Sequence, residues 1–466
     1  MSDSGSSDIS SDGSSSESSD YYNSSTDDSS TESDSSSPQL ASYNGGTDRI
    51  SALPDSILHH ILCFADMKEV VNTSKLSTRW RSVWKFVPTL NFAFRGGAKR
   101  FVKFVDRVFL LRSEEVNIDS LSFSGYTINT RDLENWMTVA RRRHVQELYL
   151  DLKSNRAGRE LPTFIFTSEE VKVLKLHNLW VPRLMCSATH LNTVELISVT
   201  LPYSDRLRKE LVISCPALKD LRLIKCNHHK IELLHVSTPV LRNLVIEDPN
   251  FRSETSCRIK LSTPGLTSLV LKGRMYANYT LGSNISLVNA KFESRGKLVG
   301  AEILHQVLDA LCNVRNLQVS GRSLQASVES EMVDQFLNPF LNLRYLKLGG
   351  FSDGSCVRPI HYLLTSSISL EILSLGINQI SMNRDWVELS RCISRLKSIE
   401  IVGIEGREIE LDFFKFVLET AVALEFFSAT PHEKFLLKTK KEMAAFTMTV
   451  YSLPRASPNV QVFFFR

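Results

Sequence analysis

Thirteen copies of the phrase L-x-x-L-x-L, with Ile, Val or Phe replacing some leucines, follow one another at repeat spacing from Ile118 to Leu424. Val145-x-x-Leu148-x-Leu150 and Leu218-x-x-Leu221-x-Leu223 are typical, and the copy at Leu287 is degenerate, with Ala290 in the middle position. Successive copies start 20 to 29 residues apart. The L-x-L portion alternates as a half-buried strand does, leucines inward and the intervening residue outward. One such unit cannot close its own core, so each must stack on the next.

The spacing is that of leucine-rich repeats, and the expected fold class is α/β, a curved solenoid of stacked repeats. Alternation leaves one residue per strand facing out, a mixed and slightly basic row that includes Tyr149, Lys175, Glu195, Arg222, Lys347, Ser374 and Glu400. Its large members Tyr149, Lys175, Arg222 and Lys347 differ from repeat to repeat, which makes them the candidate contacts for a target protein. Ahead of the repeats, Lys99–Arg112 places Phe101, Phe104, Val105, Val108 and Leu111 on one helical face.

Residues Asp48–Phe92 read as three short helices. The first opens at Pro54 and carries Leu53, Ile57, Leu58, Ile61, Leu62 and Phe64. Asp66 and Glu69 mark the start of a second helix, and Ser77 is positioned to cap a third. In that third helix Trp80, Val83, Trp84 and Val87 form one apolar stripe ended by Pro88, the expected core. Helix 1 is apolar on more than one side, beyond what two short neighbours cover, and such a surplus points to a partner.

Leu53-Pro54-Asp55, Ile61-Leu62, Thr73-Ser74, Leu76-Ser77, Arg79-Trp80-Arg81 and Trp84 resemble the F-box in its plant form, with Ala65-Asp66 where that family usually has Leu-Pro. The resemblance implies docking, through Leu53, Pro54, Ile57, Leu58, Ile61 and Leu62, onto the adaptor of an SCF-type cullin–RING ubiquitin ligase. Cys215-Pro216-Ala217-Leu218-Lys219-Asp220-Leu221-Arg222-Leu223 resembles a phrase of plant F-box/leucine-rich-repeat proteins, and residues from Leu411 to Phe465 resemble the FBD domain that ends many of them. The expected organisation is a tail and linker over 1–47, an F-box over 48–92, a solenoid over 93–410 and an α/β cap over 411–466. The cap is expected to hold a helix from about Asp412, strands near Leu424–Ala429 and Val460–Phe465, and a basic helix in KFLLKTKKEMAAF between them.

Residues 1–37 hold nineteen serines and nine acidic residues, a composition that cannot offset the entropy of ordering and is expected to be disordered. Residues 1–48 carry ten acidic residues and no Lys or Arg, so the remainder has 55 basic residues against 41 acidic ones. Those basic residues are scattered and lack regular aromatic interleaving, which argues against nucleic acid as a partner. The eight cysteines show no CxxC spacing, and a reduced nuclear or cytoplasmic setting is expected, with no membrane partner. No phosphate loop, dinucleotide fingerprint, HExxH or GxSxG is present, and Cys226, His228 and His229 lack a fourth ligand. Neither catalysis nor a cofactor nor a metal is expected. The function implied is substrate recognition for the ligase, with adaptor and cullin at one end and a target protein on the repeats. The alternative is a repeat scaffold whose F-box binds no adaptor.

Overall fold

Leucine phrases that alternate in sequence become strands that stack. In the computed structural model all thirteen lie in one fifteen-stranded parallel sheet, with one further strand at each end. The structure describes residues 49–464 apart from 94–96, 126–127, 153–160, 162, 167, 182–188, 202–208, 228–230, 248–256, 274–278, 283–285, 295–307, 309–310, 322–338, 350–356 and 377–383. The expectations for the N-terminal tail, for Cys186 and Cys356 and for His228 and His229 lie outside the described residues. From Leu53 onward the chain forms one compact unit.

Register turns the alternation of the sequence into a surface. Tyr149 pairs with Lys175, Lys175 with Glu195, and Glu195 with Arg222. Gln318 pairs with Lys347, Lys347 with Ser374, and Ser374 with Glu400, although Ser374, expected to face out, is buried. The leucines between them point inward and are buried, among them Leu148, Leu174, Leu221, Leu317 and Leu346. Each strand is followed by a tight turn in three central repeats, where Asn178, Ser198 and Lys225 take positive φ. Their N–H groups donate to Ile197, Ile224 and Glu247 of the next strand, so an uncommon backbone conformation is repeated because it links neighbours.

The sheet begins one strand before the copy at Ile118. Thr89–Ala93, the end of the expected F-box segment, is its first strand and pairs with Ser120–Gly125. Leu90 and Phe92 enter the core, and Phe92 stacks on Phe123 with ring centroids 5.2 Å apart. The helix expected over Lys99–Arg112 runs Ala98–Leu111 and buries Phe101, Val105 and Val108. Leu111 departs from the expected face: it lies in the last turn and is 44% exposed, because the chain turns away at Arg112.

On the opposite wall the return segments form a second parallel sheet, ordered Tyr279–Leu281, Arg258–Ser262, Leu233–Ser237, Glu210–Ile213. Leu211, Leu234 and Ile259 are in register and buried, closing the core from the far side.

At the C-terminal end, Phe426–Pro431 and Gln461–Phe464 extend the main sheet as its last two strands. The helix expected from Asp412 starts earlier, at Glu408. The reason is the buried Glu410 carboxylate, which accepts N–H donors from Glu405, Gly406 and Arg407 at 3.1, 2.8 and 3.0 Å and fixes the first turn. Gly406 there has φ +77°, and an added Cβ would stand 2.7 Å from the Phe435 ring. The single basic helix expected after it is two, Glu433–Leu436 and Lys440–Ser452. Thr439 and Glu442 form a reciprocal capping box that starts the second.

Candidate functional site

The N-terminal helices show how a short segment exposes apolar residues without unfolding. Helix Asp55–Leu62 buries Leu58 and Leu62 and leaves Ile57 and Ile61 45% and 48% exposed. Pro54 is exposed and Leu53 half-buried against the core. Phe64, just beyond the helix, is 79% exposed. The six expected adaptor contacts therefore divide: two are core, one is shared, and Pro54, Ile57 and Ile61 are surface. Trp80, Val83 and Trp84 are all buried, with Val87 beside them.

Two polar anchors hold this arrangement. Arg79 donates to the Leu53 carbonyl at 2.6 Å and pairs with Asp55, clamping the start of helix 1. Asp66 caps helix Met67–Asn72 by accepting the Lys68 N–H, and its other oxygen accepts the Ala93 N–H at 2.9 Å. The Ala65-Asp66 departure thus ties the helices to the first strand of the sheet. The Ser77 expectation fails. The third helix starts at Trp80, without a side-chain cap, and continues as a 3-10 turn over Trp84–Phe86. Arg79, the residue before it, is held by Leu53 and Asp55, and this fixes where the helix begins.

On the outward face of the main sheet the structure brings Tyr149, Lys175 and Arg222 together and leaves Lys347 apart. Lys347 lies five strands beyond Arg222, about 24 Å at the usual strand spacing. Around the first three runs a polar chain that crosses four strands. The Tyr149 hydroxyl lies 3.1 Å from His177 Nδ1 and 3.4 Å from Asp151 Oδ2. His177 Nε2 lies 3.2 Å from Glu195 Oε1, and Arg222 pairs with Glu195 Oε2 at 3.2 Å. Asn178 donates to Asp151 at 2.6 Å. Arg222 is thereby already met by a carboxylate, whereas Lys175 is exposed and makes no salt bridge among the described residues. Sequence reasoning misses His177 and Asp151. They occupy the next outward position of their strands, two residues past Lys175 and Tyr149, and extending the alternation by one step finds them.

Burial and the neighbouring Asp151 push the Tyr149 hydroxyl up to about 12. An acid whose pKa is raised by folding binds its proton more tightly in the native state, so its contribution to stability is lost as pH rises from about 10 toward 12. A spectrophotometric tyrosine titration is expected to show a late component that Tyr149→Phe removes and Asp151→Asn moves to lower pH. Absence of any late component tied to Tyr149 refutes this environment.

Cys226, at the end of its repeat's turn, is buried and donates to the Leu196 carbonyl at 3.3 Å. The described cysteines 63, 215, 226, 257, 312 and 392 form no disulfide with one another. Among the described residues no helix is long and apolar enough to cross a membrane, and no group of three or more His, Cys, Asp or Glu is placed to hold a metal ion.

A helical module with exposed apolar residues runs directly into a stack of parallel β-repeats, and this combination defines a helical module joined to a leucine-rich-repeat solenoid. Two family descriptions match the chain: "F-box domain" over residues 50–91, and "At1g61320/AtMIF1, LRR domain" over residues 112–426. The chain belongs to the F-box/leucine-rich-repeat family. Arabidopsis thaliana proteins are among those it is similar to. The FBD-associated F-box protein At4g10400 is 31% identical over 85% of this chain and 95% of its own length. The putative F-box/FBD/LRR-repeat protein At1g66300 is 26% identical over 91% and 96%, and the FBD-associated F-box protein At5g60610 28% over 81% and 98%.

Proposed function

We propose that this protein is the non-catalytic substrate-recognition subunit of an SCF-type cullin–RING ubiquitin ligase, working in the nucleus or cytoplasm. The observation that carries the reading is the exposed Pro54, Ile57 and Ile61 surface on an otherwise packed F-box. An apolar patch held in place by buried Leu58, Leu62 and Trp80 is suited to a partner's groove. The adaptor takes this face, with Leu53 at its margin, and brings cullin with it. The repeat surface, with Tyr149, Lys175, Arg222 and Lys347 on its outward row, takes the target protein. Holding a target near a ubiquitin-carrying enzyme raises its effective concentration, so no residue of this chain has to perform chemistry. The organisation that goes with this function is the tail over 1–47, F-box, repeats and C-terminal cap.

The test is reconstitution of the full chain with purified adaptor and cullin. A complex containing all three on gel filtration is the expected result. Elution of the full chain apart from a functional adaptor–cullin pair rejects the ligase role and favours a repeat scaffold acting alone.

A further inference from the structure

The rim at which the main-sheet strands begin changes character along the sheet. One register row just inside that rim contains Asp220, Asn243, Ser268, Asn289 and Asn316 on consecutive strands. On the next four strands the row contains Tyr345, Ile372, Ser398 and Phe426. Ile372 and Phe426 are 37% and 45% exposed. A second row lies in the turns, two residues before the first buried leucine of each repeat. The repeats at Leu218, Leu241 and Leu266 have Pro216, Pro239 and Pro264 there, whereas those at Leu343, Leu370 and Leu424 have Leu341, Ile368 and Val422. These three are 52%, 60% and 63% exposed. Both rows skip the same strand, Ser398–Ile404, where Ser394 and Ser398 occupy the two positions.

Charge gives the patch a direction. Arg315, Arg344, Glu371 and Lys397 follow one another between the two rows, each carbonyl accepting the N–H of the next. Glu371 lies 3.6 Å from Arg344 and 3.7 Å from Lys397. At the other end Arg315 and Lys347 make no salt bridge among the described residues. The same row continues to exposed Glu425 on the fourth strand, whose N–H donates to the Lys397 carbonyl, so the patch is basic at the Arg315 end and carries one acid among its apolar residues toward Phe426.

The repeat distance selects the occupant. Apolar residues at i, i+3 and i+10 of an α-helix share a face and stand about 4.5 and 15 Å along its axis. The second and fourth strands of this group stand about 4.8 and 14.4 Å from the first. A helix laid across the strands thus meets each apolar column in turn.

We propose that this rim receives an amphipathic helix of the target protein, acidic at the end lying over Arg315, Arg344 and Lys347. The proposal rests on the reading of the chain as a target receptor. Its test uses the full-length protein and labelled helical peptides of about 15 residues, with Leu at i, i+3 and i+10 on one face. The peptides carry a Glu cluster at the first or the last turn, or Lys in the same places, and binding is read by fluorescence anisotropy. One of the two acidic peptides is expected to bind at least about tenfold more tightly than its Lys counterpart, the scale of a single charge-assisted contact. Ile368→Ser with Val422→Ser is expected to abolish binding, and Arg315→Glu with Arg344→Glu to reverse the charge preference. No binding of either acidic peptide, equal binding of the Lys peptides, or full binding by the Ser variant overturns the proposal. Adaptor capture by the same preparations is scored separately: its loss in wild-type protein defeats the ligase reading, whereas its retention with no peptide bound defeats this inference alone.

Discussion

Ile57→Asp combined with Ile61→Asp is expected to abolish capture of the adaptor while leaving the melting temperature of the chain unchanged. Both side chains are close to half exposed, one helical turn apart, and point away from a core built by Leu58 and Leu62. Fully burying an Ile in an interface contributes about 1.5–3 kcal/mol, so losing two lowers affinity about a hundredfold or more. A carboxylate placed against an apolar groove adds a desolvation cost. The neighbouring pair Leu53 and Pro54 gives a less selective test, because Leu53 packs on the core and its carbonyl receives Arg79. Titration calorimetry with purified adaptor measures the effect. Wild-type affinity in the double variant removes helix 1 from the contact, and Leu58→Ala serves as the control that lowers stability instead.

Trp136→Ala is expected to destabilise the protein by about 3–5 kcal/mol, the range for removing a large aromatic from a packed core. Trp136 lies on helix Thr130–Arg142 and is 1% exposed. Its ring stacks on Phe123 at 4.9 Å and meets Phe101 edge-on at 6.0 Å. Its indole N–H donates to Asp106 at 2.8 Å. One side chain therefore joins two helices to the first strands of the sheet. Trp136→Phe keeps ring contact and loses the indole donor, for a cost of about 1 kcal/mol. Urea unfolding compares the variants. A loss below about 1 kcal/mol for the Ala variant shows that this junction relaxes around the cavity.

Thirteen of the fifteen strands of the main sheet, and their outward row apart from Ser374, were legible because a period of two, repeated every 20 to 29 residues, is a local property of the chain. The Trp80, Val83 and Trp84 stripe was legible for the same reason at helical spacing. Other signals are present in the sequence and easily passed over. Thr439-x-x-Glu442 is a capping box in plain sequence, and it divides what reads as one basic helix. Leu211-Val-Ile213, Leu234-His-Val236 and Ile259-Lys-Leu261 alternate as strands do, each running into a serine, and together with Tyr279–Leu281 they form the second sheet.

What tertiary structure alone decided is where segments distant in sequence meet. A helical period marks Leu58 and Ile57 as equally apolar, and only packing against the third helix assigns one to the core and the other to the surface. Val87-x-x-Leu90-x-Phe92 fits the same phrase, but Val87 also closes the helical stripe from Trp80, and only the ladder with Ser120–Gly125 assigns Thr89–Ala93 to the sheet. Lys175 and Arg222 are both exposed cations on the outward row, yet Glu195 pairs with Arg222, and Lys175 makes no salt bridge among the described residues. Periodicity fixes which face of an element a residue occupies, because that depends on backbone geometry within a few residues. What covers that face depends on register between strands tens of residues apart, and register is set by the whole stack.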